Sequence, residues 1–260
     1  MTETCPSEFL TFAHELADRA AEISRAYFRA AYEVERKGDL SPVTIADRSA
    51  EEALRGLVAE RYPDHGVVGE EFGPHQADAE FVWVFDPIDG TRAFVSGNPQ
   101  FGNLISLSRG GRPLLGVIGM PAQQERWLGA AGHGTYHRDA AGERPVRCRP
   151  CPRLDLAVFR AQLLPLTEPE PMARLRPLVA DTLLSGDCFS YCQLASGWLD
   201  LVVESGLYSF DYMALVPVVE GAGGAIFDFA GTDLDLRSDG RVIAVGDPVL
   251  RDQVLRALAE

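Results

Sequence analysis

The chain has 260 residues, 46% hydrophobic and 24% charged, which is enough apolar surface for one large domain or two closely packed halves. Those fractions are globular and exclude disordered, collagen-like and coiled-coil readings. With 24 basic against 38 acidic residues the net charge is −14, so the surface repels phosphate backbones and no nucleic-acid partner is expected.

The opening MTETCPSEFL has no basic region followed by an apolar run, and nowhere do roughly 20 apolar residues stand together. The expectation is a soluble, cytoplasmic protein without a membrane partner. Phe9, Phe12, Ala13, Leu16, Ala20, Ile23 and Tyr27 recur at helical steps and predict a helix over 7–36, broken by Lys37 to Pro42. A second helix is predicted over 47–61, with Ala50, Leu54, Leu57 and Val58 inward and Asp47 at or near its N-cap. The period then changes to strands: Val67-Val68, 81–86, a hairpin of 103–109 and 113–120 about Gly110-Gly111, then 125–130 and 134–137. Residues 138–153, rich in Arg, Pro and Gly, read as a connection between halves. Beyond it the pattern predicts a strand at 156–159, helices at 171–183 and 187–197, and a strand at 199–203. A helix over 212–220 headed by Asp211, strands at 225–229 and 241–245 and a closing helix at 248–259 complete the chain. This alternation points to α/β layering.

Cys148-Arg-Pro-Cys151 has the C-x-x-C form of a redox pair or half a zinc site, but no second pair or suitable histidines accompany it. All five cysteines read as free thiols. No G-x-S-x-G turn, phosphate-cradling Walker loop or Cys–His pair is present either.

The informative stretch is Asp86-Pro-Ile-Asp89-Gly-Thr, at the end of the apolar run Phe81 to Phe85. Pro87 biases Asp86 to extended backbone, Gly90 permits a tight bend, and Thr91 can cap a following helix. Two converging carboxylates repel unless they are protonated or neutralised by cations. Carboxylates with the Ile88 carbonyl, and no thiolate or imidazole, favour Mg2+ or Mn2+ over zinc. Taken alone, D-x-x-D is equally a solvated acidic turn. Glu70 and Glu71 between two glycines, Asp211 at a helix head and Asp47 at a helix start are further carboxylates in similar settings, and each alone could be only a cap.

Together these residues resemble the inositol monophosphatase-like family of Mg2+-dependent phosphatases. The resemblance lies in Trp83-Val-Phe-Asp-Pro-Ile-Asp-Gly-Thr91, Phe210-Asp-Tyr-Met-Ala-Leu-Val-Pro-Val-Val-Glu-Gly-Ala-Gly-Gly224, Gly69-Glu-Glu71 and Val43-Thr-Ile-Ala-Asp47, in family order. It implies a layered αβαβα sandwich, with an N-terminal α+β half over 1–140, a C-terminal α/β half over 141–260, and the site between them. It implies metal ligation by Glu70, Asp86, the Ile88 carbonyl, Asp89 and Asp211, with two or three Mg2+ ions and Mn2+ as a substitute. Asp47 and Thr91 become the pair that orients and deprotonates the attacking water, with Glu70 also catalytic and Glu71 in support. The Gly90 and Thr91 N–H groups become the phosphate site. A homodimer is implied by resemblance alone. Two metal ions gather the phosphate despite the negative surface, and so reconcile phosphate chemistry with the charge.

The finer pattern is most similar to histidinol-phosphate phosphatases of the bacterial type, through Val34 to Thr44, Asp89 to Gly97, Gly186-Asp-Cys-Phe-Ser-Tyr191 and Ala214 to Ala222. The substrate expected is L-histidinol phosphate, in histidine biosynthesis. Histidinol carries an ammonium and a titratable imidazole, which suit an acidic pocket, and Asp187 and Glu204 are the candidates to line it. Asp187 reads equally as a helix cap. Arg92 contacts phosphate or pairs at the surface. Ile88, Asp89 and Asp211 complete the substrate-contacting set. The stretch Asp181 to Ser185 lacks a basic residue expected in some relatives, and Phe210 stands where tryptophan is commoner. Inositol-1-phosphate phosphatase, or a broad sugar- or nucleotide-phosphate phosphatase, is the alternative. A non-catalytic phosphate- or metal-binding regulator would have lost a ligand or the Asp47–Thr91 pair, and both are intact.

Overall fold

Helix α1, Ser7–Tyr27, buries Phe9, Phe12, Ala13, Leu16, Ala20 and Ile23 along one face, as their spacing requires. The computed structural model describes residues 4–31, 34–36, 42–161, 170–184 and 186–259. The helix does not continue to residue 36. Arg29 takes a left-handed φ of 59°, and Val34–Arg36 (β1) pairs antiparallel with Pro42–Thr44 (β2). Residues 32–33 of the expected helix and 37–41 of the expected break lie outside the described residues. Helix α2, Ile45–Arg61, begins two residues before the sequence reading: Thr44 is its N-cap, and Asp47 is the third residue of a capping box.

Among the described residues, β3 (Gly66–Gly69), β4 (Phe81–Asp89), β5 (Gly102–Arg109), β6 (Arg112–Met120), β7 (Glu125–Ala130), β8 (Gly134–Asp139) and β9 (Gly142–Pro145) form one seven-stranded sheet in that order. Its first pair is parallel and the rest antiparallel. Helix α3, Thr91–Val95, follows β4. The stretch expected to connect two halves begins inside this sheet, because β8 and β9 run to Pro145 as a hairpin.

The second half holds β10 (Val158–Ala161), α4 (Glu170–Leu175), β11 (Asp181–Leu184), α5 (Phe189–Ala195), β12 (Leu201–Glu204), α6 (Ser209–Tyr212), α7 (Leu215–Gly221), β13 (Ala225–Phe227), β14 (Val242–Val245) and α8 (Arg251–Ala259). Among the described residues its five strands are ordered β11-β10-β12-β14-β13. The helix expected over 171–183 stops at Leu175. Pro177 lies in the 3-10 turn that follows, and the chain then becomes β11, parallel to β10. The single helix expected over 212–220 is also divided. Pro217 has no N–H to offer the Met213 carbonyl four residues earlier; Ser106, whose hydroxyl donates to the Leu115 carbonyl at 2.8 Å, lies 3.2 Å from it.

The layers follow from three cores. One packs α1 and α2 on the outer face of the large sheet, through Phe12, Leu16, Leu54, Trp83 and Ile105. A second holds α5 and α7 between the sheets, through Leu104, Trp127, Tyr191, Val218 and Ala244. A third packs α8 on the far face of the small sheet, through Phe159, Ile243 and Val254. The order is αβαβα, a mixed α/β fold. No helix among the described residues is long and apolar enough to cross a membrane.

Where α7 crosses the large sheet the backbones nearly touch. A Cβ at Gly129 would lie 2.2 Å from the Pro217 carbonyl oxygen, whereas one at Gly56, on the exposed face of α2, would meet nothing within 4 Å. Gly129→Ala should therefore lower the melting temperature by several degrees, the scale of about 1–3 kcal/mol for overpacking. Gly56→Ala should raise it or leave it unchanged, since alanine favours helix by up to about 1 kcal/mol. Thermal melts of the two variants check both signs.

Candidate active site

In a regular strand residues three apart face opposite sides, so Asp86 and Asp89 could not converge. Strand β4 solves this with a bulge: Asp86 stands opposite Leu104 and Asp89 opposite Gly102, three steps on one strand against two on the other. The extra residue returns both carboxylates to one side. Gly90 then turns the chain with φ 77°, a left-handed geometry that glycine adopts without a Cβ clash, and α3 begins. Ile88 between them is buried with Ala46, Phe94 and Phe101, so the turn has an apolar anchor of its own.

Asp211 arrives from the other half of the chain, as the third residue of α6. Its Oδ2 accepts the Tyr208 N–H at 2.6 Å. Asp86 Oδ1 accepts the Ile88 N–H at 3.0 Å, and Asp89 Oδ2 accepts the Cys188 N–H at 2.8 Å. Each carboxylate is thus aimed by a backbone donor. Ligand oxygens of Asp86, Asp89 and Asp211 lie within 4.8 Å of one another. Glu70 is not in that triad, but its negative charge acts on Asp86, Asp89 and Asp211. Its N–H donates to the Phe85 carbonyl at 3.3 Å, which fastens the end of β3 beside β4.

Asp47 is fully buried, and its Oδ2 accepts both the N–H and the hydroxyl of Thr44, at 2.8 and 2.6 Å. Its Oδ1 is buried with no hydrogen-bond partner. The Thr91 hydroxyl donates to the Ile88 carbonyl at 3.0 Å and not to Asp47, so the expected pair is not in direct contact. Arg92 is exposed on α3. Asp187 holds a left-handed φ of 42°, with its Oδ2 3.0 Å from where a Gly90 Cβ would stand, so its carboxylate sits over that turn. It does not cap α5 with its side chain. Buried Glu204, at the end of β12, accepts the Tyr191 hydroxyl at 2.7 Å.

Burial first, then the charges of neighbouring carboxylates, pushes these acids up. Asp86 is raised by desolvation and then by Glu70, Asp89 and Asp211. Asp89 and Asp211 are raised by desolvation, against backbone hydrogen bonds that lower them. Asp47 rises to about 6, Asp187 to about 7 and Glu204 to about 8, each chiefly through burial. At 4.8 Å and an effective dielectric near 20, two unit charges repel by about 3.5 kcal/mol. Three such pairs approach about 10 kcal/mol, within the whole stability of an ordinary protein. Proton uptake or a cation must offset that repulsion. The groups brought together are all carboxylates, and one buried oxygen of Asp47 stands without a partner, so a hard divalent cation fits the set.

A sequence profile of the inositol monophosphatase family matches residues 6–260. The chain belongs to that family. Its relatives include the bifunctional phosphatase IMPL2, chloroplastic, of Arabidopsis thaliana, 39% identical over 99% of this chain and 77% of that protein. A histidinol-phosphatase of Mycobacterium tuberculosis is 36% identical over 96% of this chain and 97% of its own. A solved structure of an inositol monophosphatase from Zymomonas mobilis superposes with a TM-score of 0.89, is 42% identical, and covers 99% and 100% of the two chains. This member of the inositol monophosphatase family is therefore a phosphatase acting on small phosphorylated substrates.

Two residues beside the acidic cluster's supporting loops were not singled out by sequence. Buried Asn103 lies opposite the β4 bulge, and its Nδ2 donates to the Pro87 carbonyl at 2.5 Å and to Ser24 Oγ at 2.8 Å. A lone amide in an apolar strand was the available signal. Arg160, opposite Leu183 on neighbouring β10, brings Nη1 to 3.1 Å from where a Gly186 Cβ would stand.

Raised folded-state values mean that, as pH climbs, the unfolded chain releases its carboxyl protons before the folded one does. The cation-free protein should lose stability between about pH 4 and pH 8. A divalent cation removes the repulsion, so the gain in melting temperature on adding millimolar Mg2+ should be larger near pH 8 than near pH 5. Melts of chelator-treated protein with and without Mg2+ at the two pH values measure it, and equal gains would contradict the electrostatic account.

Proposed function

We propose that this phosphatase is a magnesium-dependent histidinol-phosphate phosphatase, converting L-histidinol phosphate and water to L-histidinol and phosphate in the cytoplasm as a step of histidine biosynthesis. Glu70, Asp86, the Ile88 carbonyl, Asp89 and Asp211 would hold two or three Mg2+ ions, or Mn2+ in their place. Held there, such ions would supply charge neutralisation for the phosphate, a more acidic water and stabilisation of the departing oxygen. Asp47 is the proton acceptor: its buried Oδ1 is unpartnered, and its pKa of about 6 suits proton uptake near neutrality. The Thr91 hydroxyl orients the water, and its donation to the Ile88 carbonyl leaves its oxygen as an acceptor. The Gly90 and Thr91 N–H groups hold the phosphate where α3 begins, and Arg92 reaches it from the same helix.

The observation that carries the substrate is the pair of acids beyond the metal triad. Asp187 stands over Gly90, and Glu204 feels the charges of both Asp89 and Asp187. These carboxyls, Glu204 buried and Asp187 half-buried, would gain from a cationic substrate, whose charge stabilises their ionised forms, and a polyol offers no such gain. The inositol reading remains the second one because the Zymomonas mobilis structure, 42% identical, is an inositol monophosphatase. A homodimer belongs to the same proposal. Edge strand β11, with Leu183 and Leu184 37% and 51% exposed, supports it, and light scattering tests it.

Purified protein with Mg2+ should show kcat/KM at least about tenfold higher for histidinol phosphate than for inositol 1-phosphate, a difference of about 1.4 kcal/mol. Asp187→Ala should raise KM for histidinol phosphate by about tenfold and leave inositol phosphate nearly unaffected. A tenfold preference for inositol phosphate by the parent protein would overturn the substrate.

A further inference from the structure

Glu51 is fully buried on α2, one turn after Asp47 and on the same face. A carboxylate taken out of water needs several donors, and Glu51 has them in one place. Its Oε1 accepts from Arg55 Nε at 2.7 Å and from the Phe72 N–H at 3.3 Å, and its Oε2 accepts the Glu71 N–H at 2.7 Å. Arg55 Nη2 in turn donates to the Gly73 carbonyl. Gly69 packs directly on the carboxylate: a Cβ there would come within 2.1 Å of Glu51 Oε1. Residues 69, 71, 72 and 73 are thus all fixed by one side-chain pair, and Glu70 stands in their middle.

We infer that Glu51, braced by Arg55, is a positioning residue that sets the Glu70 carboxylate toward the Asp86–Asp89–Asp211 cluster. The inference rests on the metal-dependent reading above. An apolar side chain would fill the same space, but it could not accept two loop N–H groups. Because Asp47 and Glu51 share one face of α2, this helix sets the spacing between the proton acceptor and the loop bearing Glu70. Neutral glutamine cannot replace Glu51: its amide NH2 would face a donor whichever way it turned, either the Glu71 N–H or the Arg55 and Phe72 groups.

The test is calorimetric titration of Mn2+ into metal-stripped parent and Glu51→Gln proteins, followed by phosphatase activity against Mg2+ concentration. Glu51→Gln should bind Mn2+ about tenfold more weakly and need about tenfold more Mg2+ for half-activation, with kcat recovered to within about twofold at saturation. Unchanged Mn2+ affinity, or a kcat lost at saturation with unchanged half-activation, would overturn the inference. If Glu51→Gln fails to fold, Gly69→Ala displaces the same carboxylate while keeping both charges, and the same split is expected. Amide exchange on the parent protein is the variant-free check, because unprotected Glu71 and Phe72 N–H groups would refute the bracing. A parent protein that binds no Mn2+ and releases no phosphate sinks the metal reading and this inference with it. A parent that does both, beside an equally competent Glu51→Gln, sinks this inference alone.

Discussion

Mutual repulsion among crowded carboxylates is the constraint around which this molecule is arranged. Asp86, Asp89 and Asp211 bring oxygens within 4.8 Å of one another while burial, near complete for Asp86 and partial for the other two, takes water from them. Left to themselves such groups turn away or take up protons. Here each is held in place by a backbone N–H, from Ile88, Cys188 and Tyr208. The energy that holds them together therefore comes from the rest of the fold, and a phosphatase gains from it a cluster primed for cation charge.

Each larger feature of the fold serves that convergence. The β4 bulge turns two aspartates to one side, and Asn103 clasps it to α1 through Ser24. Pro217 separates α6 from α7 and leaves Asp211 on a single short turn. Asp89 reaches across to the head of α5 through the Cys188 N–H, so the turn after β4 and the second half are linked at the site itself. The middle layer of α5 and α7 fills the space between the sheets and fixes that approach.

Much of this was legible in sequence, because the chemistry uses local motifs. Asp86, Asp89, Gly90 and Thr91 could be read as a strand end, a sharp turn and a helix start, and they stand so. The helices with regular apolar spacing were read to within a few residues, apart from the first, which is shorter than its period implied. What periodicity could not show was long-range. The change from helix to strand at 181–184 depends on pairing with β10. The direction of the Thr91 hydroxyl, the bulge register and the Arg160 guanidinium near Gly186 are likewise tertiary facts. Nothing in the local sequence marks Glu51, because two of its three donors, the Glu71 and Phe72 N–H groups, come from a loop about 20 residues on.

The claim at the centre is that acids from both halves meet around a divalent cation. Crystals grown with Mn2+, with diffraction collected at the manganese edge, test it most directly. The account predicts anomalous density bridging the carboxylates of Asp86, Asp89 and Asp211. Manganese bound elsewhere, with those three side chains turned apart, would contradict it.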